Sequence, residues 1–318
     1  MAQRIHGLAL LFPGQGSQAA GMGKELAHNH AAARRVFEEA DEALGYSLSK
    51  LCFEGPEEKL RLTEITQPAI LTVSVAATRV LHDAGVAPSF VAGHSLGEYS
   101  AHVVAGTFSF ADAVRTVRRR GQFMQEAVPV GEGAMAAVLN LSIELVRAAC
   151  TEAAAAFPGQ VCEPANINSP GQIVISGSKS AVEHAAELCK QKGAKRAILL
   201  PVSAPFHCSM KKPAQDRLAA ELASFTFHNP EIPVLCNVDA AQVRQADKAR
   251  DSLVRQVTGA VQWEGSMRAL IAQGVTRFVE AGPGSVLTGL LRQIDRSQSC
   301  HNVENEASLQ KATASLAR

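Results

Sequence analysis

Ser89-Phe90-Val91-Ala92-Gly93-His94-Ser95-Leu96-Gly97-Glu98-Tyr99-Ser100-Ala101 is the stretch that decides the fold. Residues 89–93 form a short apolar run closed by glycine, which predicts a buried strand, and helical character begins at residues 96–105. Between them, Gly93-His94-Ser95-Leu96-Gly97 fits the pattern Gly-x-Ser-x-Gly. A strand that becomes a helix over so few residues leaves no room for side chains at the flanking positions, and it thrusts the serine out at the strand's carboxyl end. The helix that follows points its unpaired N–H groups and the positive end of its dipole at the same spot. Ser95 is therefore expected to be a nucleophile, with the Leu96 N–H placed to donate to an oxyanion. The plainer possibility is a glycine-rich turn in which Ser95 only caps the helix.

Outward from this point, short apolar runs alternate with longer helical patterns, the mark of an α/β protein. Leu8–Phe12 reads as a buried strand stopped by Pro13-Gly14, residues 66–85 as a helix ended by Gly85, and residues 232–238 and Arg277–Ala281 as further buried strands. The middle of the chain has another rhythm: strand 133–141, helix 142–157, strand 161–168, a turn at Ser169-Pro170-Gly171, strand 172–176, helix 181–192 and strand 196–202. That order, β-α-β-β-α-β, is the ferredoxin-like unit. It predicts a compact unit at 130–203 inserted between the two parts, 1–129 and 204–318, of a larger domain; the alternative is six more elements of one continuous sheet.

Composition narrows the class. The 318 residues are 47% apolar and 19% charged, which fits a globular chain with a substantial core and excludes disorder. With 31 Lys+Arg against 30 Asp+Glu, nothing suggests a general attraction to nucleic acid or to a membrane surface. No uncharged run reaches the roughly 18 residues a bilayer requires, and the apolar run at Leu8–Phe12 ends too soon for a secretion signal. Seven cysteines, odd in number, scattered and without a C-x-x-C pair, argue against a disulfide framework or a cysteine-rich zinc site and for a reducing cytoplasm.

A serine nucleophile needs a base, usually histidine. Of ten histidines, His94 adjoins the elbow but should point away from it, and His102 falls two turns into the helix. His207 follows a predicted strand in Val202-Ser203-Ala204-Pro205-Phe206-His207-Cys208, a loop stiffened by proline, and is the preferred base, although a lone histidine is more often structural. Asp112, the only aspartate between Ser95 and His207, sits in a helical stretch. The third group is thus either Asp239, reaching in from another strand, or a backbone carbonyl. Arg120 falls on the apolar stripe of Ala113, Val117, Met124 and Ala127, whereas Arg115, Arg118 and Arg119 lie on other, solvated faces. A buried arginine is costly unless paired, so Arg120 either makes an internal ion pair or docks a substrate carboxylate. Gln15, in the glycine-bearing turn after the first strand, could supply a second oxyanion donor; Gly282-Pro283-Gly284 reads as a turn.

Taken together, 12–18, Ala92 to Ala101, 120–129, 166–177, 202–208, Val261-Gln262-Trp263 and 280–289 resemble bacterial malonyl-CoA:acyl carrier protein transacylases, in family order over nearly the whole chain. The resemblance implies a hydrolase-like parallel-sheet α/β domain with a ferredoxin-like insertion. It implies Ser95 as nucleophile, His207 as base oriented by the backbone carbonyl of Gln256, and Gln15 and Leu96 as oxyanion donors. Arg120 would clamp the malonyl carboxylate, Phe206 would narrow the pocket against an α-methyl branch, and Asn166 and Asn168 would face the pantetheine arm or the cleft. Gly259-Ala260 departs from the Asn-Pro of many relatives. The implied activity carries malonate from coenzyme A to the phosphopantetheine thiol of holo-acyl carrier protein, in fatty acid or polyketide synthesis. No metal or cofactor is implied, and a cytoplasmic monomer without nucleic-acid or membrane partners is expected. The rivals are a serine esterase or thioesterase and a non-catalytic carrier-docking module. An acidic carrier suggests a basic patch, with Arg115, Arg118 and Arg119 and the lysines at 190, 192, 195, 211 and 212 as candidates.

Overall fold

The computed structural model describes residues 3–202 and 204–317. All five residues of the strand Leu8–Phe12 are buried, as a parallel strand covered on both faces requires. Leu8, Leu10 and Phe12 enter one apolar layer, while Ala9 and Leu11 enter the opposite layer with Trp263, Met267 and Leu287. The two-residue side-chain period of a strand thus feeds two cores at once.

This strand sits inside a six-stranded sheet of order Ala241–Val243, Val234–Cys236, Phe90–Gly93, Leu8–Phe12, Arg277–Ala281, Ser299–Val303. All neighbours run parallel except the edge strand Ala241–Val243. Helices cover both faces, so the sheet is the doubly covered, parallel-rich kind expected. Phe12 pairs with Gly93 at the carboxyl ends of the two central strands, where open α/β sheets place their ligands. The stretch 232–238 yields a shorter strand, Val234–Cys236, because the chain turns at Asn237. Ser299–Val303 is a strand that no apolar run announces: it is a polar edge with only Val303 buried.

A second, four-stranded antiparallel sheet has the order Cys162–Ser169, Gln172–Ser178, Gly133–Leu139, Arg196–Leu199. Helices Ile143–Ala156 and Lys179–Gln191 pack on it over a separate apolar cluster that includes Val138, Val146, Ile175 and Val182. This is the ferredoxin-like arrangement, so the six elements do not continue the main sheet. Backbone ties the strand Cys162–Ser169 to the segment just ahead of the helix Trp263–Ala272: Ile167 N–H donates to Val261 O at 2.9 Å, and Val261 N–H donates to Ala165 O at 2.8 Å. All seven cysteines are free thiols. Among the described residues no helix is long and apolar enough to cross a membrane.

Candidate active site

The elbow is a steric necessity before it is a catalytic device. A Cβ on Gly93 would lie 1.9 Å from the Gly97 carbonyl, and one on Gly97 would lie 2.0 Å from Phe12 O. Only hydrogen fits where the helix Gly97–Val104 crosses the end of Leu8–Phe12. Gly97→Ala is therefore expected to lower unfolding stability by about 3 kcal/mol, read as a reduced denaturation midpoint. The turn holds Ser95 at φ 51, a left-handed conformation costing roughly 1–2 kcal/mol for a residue with a side chain.

Hydrogen bonds offset that strain. Ser95 N–H donates to Asn237 Oδ1 at 2.7 Å, Asn237 Nδ2 donates to Gly93 O at 2.7 Å, and Gln256 Nε2 donates to Ser95 O at 3.0 Å. Asn237 and Glu98, whose Oε2 accepts from Asn237 N–H at 3.0 Å and Gln256 Nε2 at 2.7 Å, carry no sequence signal of this role. Glu98 stands one residue beyond the elbow motif, in the first turn of the helix.

His207 comes to the same place from 112 residues away: Ser95 Oγ and His207 Nε2 are 2.7 Å apart. On the far side, His207 Nδ1 is 2.9 Å from Gln256 O. A carbonyl only accepts, so the hydrogen sits on Nδ1 and the Nε2 lone pair faces the serine. Burial, then the nearby positive charge of Arg120, pushes the imidazole down to about 3, so it is neutral at physiological pH. Of the two candidates for the third group, the carbonyl occupies the position. Asp239 is bound instead to Arg255 at 2.7 and 2.9 Å, and Asp112 bonds Ser109 and Arg115 at the start of its helix. His94 bonds Asn168 Oδ1 at 2.8 Å and packs on Trp263; His102 bonds Thr107 in the core.

Arg120 is 2% exposed on the helix Phe110–Glu126, on the stripe its spacing predicts. Its Nη1 donates to Gln67 Oε1 at 2.9 Å, and its Nη2 to Gln256 Oε1 at 2.9 Å and to Ser95 Oγ at 3.3 Å. Tyr99 lies beneath, with the guanidinium carbon 5.4 Å from the ring centre. Among the described residues no carboxylate forms an ion pair with it, so the internal-pair alternative fails. Two neutral amides satisfy part of the guanidinium, and Nε has no partner.

Ser95, His207 and Arg120 line a cavity of about 160 Å³, walled by Met124, Met135, Val202 and Phe206. Gln15 and Leu96 line it too, and among the described residues neither backbone N–H has a protein acceptor. Asn166 borders the cavity; Asn168 does not, its amide oxygen being taken by His94. No group of three or more His, Cys, Asp or Glu that could hold a metal ion occurs among the described residues.

The expected basic patch needs correction. Lys211 is fully buried, its Nζ donating to Met124 O at 2.6 Å and lying 5.8 Å from the Phe206 ring centre, because the last carbonyls of the Arg120 helix need a donor there. Arg118 is half-buried over Tyr46 rather than solvated. Arg115, Arg119, Lys190, Lys192 and Lys212 each pair with a carboxylate; Lys195 is exposed and has no such pair among the described residues.

A parallel sheet with a serine at its switch point, a neutral imidazole on that serine and a positive pocket behind it defines an acyl-transferring enzyme of hydrolase-like architecture. The sequence comparisons give the same class: the chain belongs to the acyl transferase domain family, whose model matches residues 9–314. The malonyl CoA-acyl carrier protein transacylase of Escherichia coli K12 is 54% identical over 287 residues, covering 90% of this chain and 92% of its own. An acyl carrier protein S-malonyltransferase of Vibrio cholerae superposes with a TM-score of 0.93 at 48% identity, covering 96% of this chain and 99% of its own. A malonyl-transacylase solved in complex with its type II PKS acyl carrier protein also gives 0.93, at 47% identity, covering 97% and 99%.

Proposed function

We propose that this chain moves the malonyl group of malonyl-CoA onto the phosphopantetheine thiol of holo-acyl carrier protein, in fatty acid synthesis, through an ester on Ser95. His207 Nε2 takes the Ser95 hydroxyl proton as Oγ attacks the thioester carbonyl, and the Gln15 and Leu96 N–H groups hold the oxyanion. Collapse expels the coenzyme A sulfur, which leaves with the proton from His207. The carrier thiol then gives its proton to His207 and attacks the ester, and Ser95 regains its hydrogen. Two half-reactions through one covalent intermediate imply ping-pong kinetics.

The observation that carries this reading is Arg120: a buried guanidinium that has no ion-paired carboxylate among the described residues and lies 3.3 Å from the nucleophilic oxygen. Such a cation selects an acyl group with its own carboxylate, and the short distance to Ser95 Oγ suits a three-carbon diacid. Because Arg120 also depresses His207, a carboxylate seated on it relieves repulsion of the forming imidazolium; the anionic acyl group improves the base that attacks it. Gln256 supplies the orienting carbonyl, and the Phe206 ring walls the pocket against an α-methyl branch, a preference worth roughly 1–3 kcal/mol. Residues 130–203 form the second wall of the cleft against 1–129 and 204–318, with Asn166 on the pantetheine side. Coenzyme A and phosphopantetheine serve as carriers, and no metal or other cofactor enters the reading, which is that of a cytoplasmic monomer.

Incubation with malonyl-CoA, followed by peptide mass spectrometry, is expected to add one malonyl group to the Ser95 peptide and to lose it to holo-carrier protein. Release of free malonate at a rate unaffected by carrier is the result that favours a hydrolase, and an unmodified Ser95 peptide the one that favours a docking module.

A further inference from the structure

Glu98 lies one turn behind Ser95 and is wholly buried. Its Oε2 accepts from Gln256 Nε2 at 2.7 Å, and the same Gln256 side chain accepts through Oε1 from Arg120 Nη2 at 2.9 Å. A buried carboxyl and a buried guanidinium are thus joined through a single amide instead of touching. A pair serving the fold alone gains most from direct contact. Holding the charges one amide apart leaves the guanidinium open to a ligand while keeping a counter-charge near it.

We propose that Glu98 is a specificity-determining positioning residue whose carboxyl, coupled through the Gln256 amide, sets the positive charge that Arg120 presents to the malonyl carboxylate. The inference rests on the malonyl-transfer reading and deepens it. The ionisable groups around Glu98 are Arg120 from the helix Phe110–Glu126, Cys236 and Asp239 from the end of the strand Val234–Cys236, and Tyr99 and His102 on its own helix. Burial lifts Glu98 to about 7, the bonds from Gln256 and Asn237 and the charge of Arg120 acting against that rise. His102, whose Nε2 lies 3.9 Å from Glu98 Oε1, is pushed down to about 3 by burial and stays neutral.

The sign follows from the charges. A malonyl carboxylate on Arg120 brings a second negative charge toward Glu98, raises its pKa further and draws in a proton. Malonyl-CoA is therefore held more tightly with Glu98 protonated, and its KM rises as pH rises through about 7. An acetyl donor, which has no carboxylate, lacks this dependence.

The test measures initial rates for malonyl-CoA and acetyl-CoA between about pH 6 and pH 8, for the wild-type chain and Glu98→Gln, whose amide oxygen still accepts from Gln256 and Asn237. In the wild type the KM for malonyl-CoA, divided by that for acetyl-CoA, is expected to climb about fivefold or more; in Glu98→Gln the ratio is flat, with malonyl-CoA bound more tightly at the upper pH. A variant that keeps the wild-type slope, or that shifts both donors in parallel, makes Glu98 a structural anchor and overturns the inference. Should Glu98→Gln not fold, the wild type decides alone, because a flat ratio there overturns it equally. A wild-type Ser95 that takes no malonyl group removes the transfer reading itself; a loaded Ser95 with a flat ratio removes this inference only.

Discussion

His207→Ala is expected to slow malonyl transfer by about 10³- to 10⁴-fold while circular dichroism and the thermal transition stay close to the parent's. The size follows from the absence of a substitute. Ser95 Oγ has one imidazole within reach, at 2.7 Å. His94 is engaged by Asn168 and His102 by Thr107, so neither can swing in without breaking a bond in or near the core. Arg120, 3.3 Å from the same oxygen, stabilises an alkoxide but accepts no proton, so residual acylation should rise with pH as hydroxide replaces the base. Pre-steady-state acylation with malonyl-CoA gives the rate directly; a loss below tenfold overturns the assignment of His207 as base.

Arg120→Ala is expected to reduce kcat/KM for malonyl-CoA on the order of 10³-fold, the scale for truncating one partner of a buried charge pair, and to raise acetyl transfer relative to malonyl. Removing the guanidinium leaves the malonyl carboxylate with the amides of Gln67 and Gln256, which are dipoles and not charges. It also lifts a positive charge from the neighbourhood of His207, whose basicity should increase, so an acetyl donor loses only the bond from Arg120 to Ser95 Oγ, a loss that both donors share. Competition between the two donors on one sample measures the ratio; malonyl loading at the parental rate refutes the clamp.

What the sequence announces is what local sterics decide. The strand Leu8–Phe12 and the elbow are legible because apolar continuity and glycine spacing are properties of a few adjacent residues, and the overlaps at Gly93 and Gly97 show why no other residue serves. Arg120 is legible because one helix face is periodic. The supports of the elbow and of Arg120 are not legible: Gln67, Glu98 and Asn237 matter through where a long helix, the elbow's own helix and a strand end relative to one another, which no window of residues encodes. Lys211 misleads for the same reason. Beside Lys212 it looks like a solvated pair, yet one of the two turns inward to the carbonyl of Met124, and only the packing of the helix end on the base loop decides which. Asp239 fails as the third group because Arg255, the residue just before the one that supplies the orienting carbonyl, claims it.

That carbonyl has an electrostatic corollary. In a triad built on aspartate, a permanent anion sits behind the imidazole and would repel any acyl chain ending in an acid. Gln256 fixes the ring's tautomer with a peptide dipole of no net charge, so the tautomer is set without adding a formal anion beside a guest that is itself an anion. Where a hydrolase gains imidazolium stability from its third residue, this protein leaves that part for the incoming acid to play.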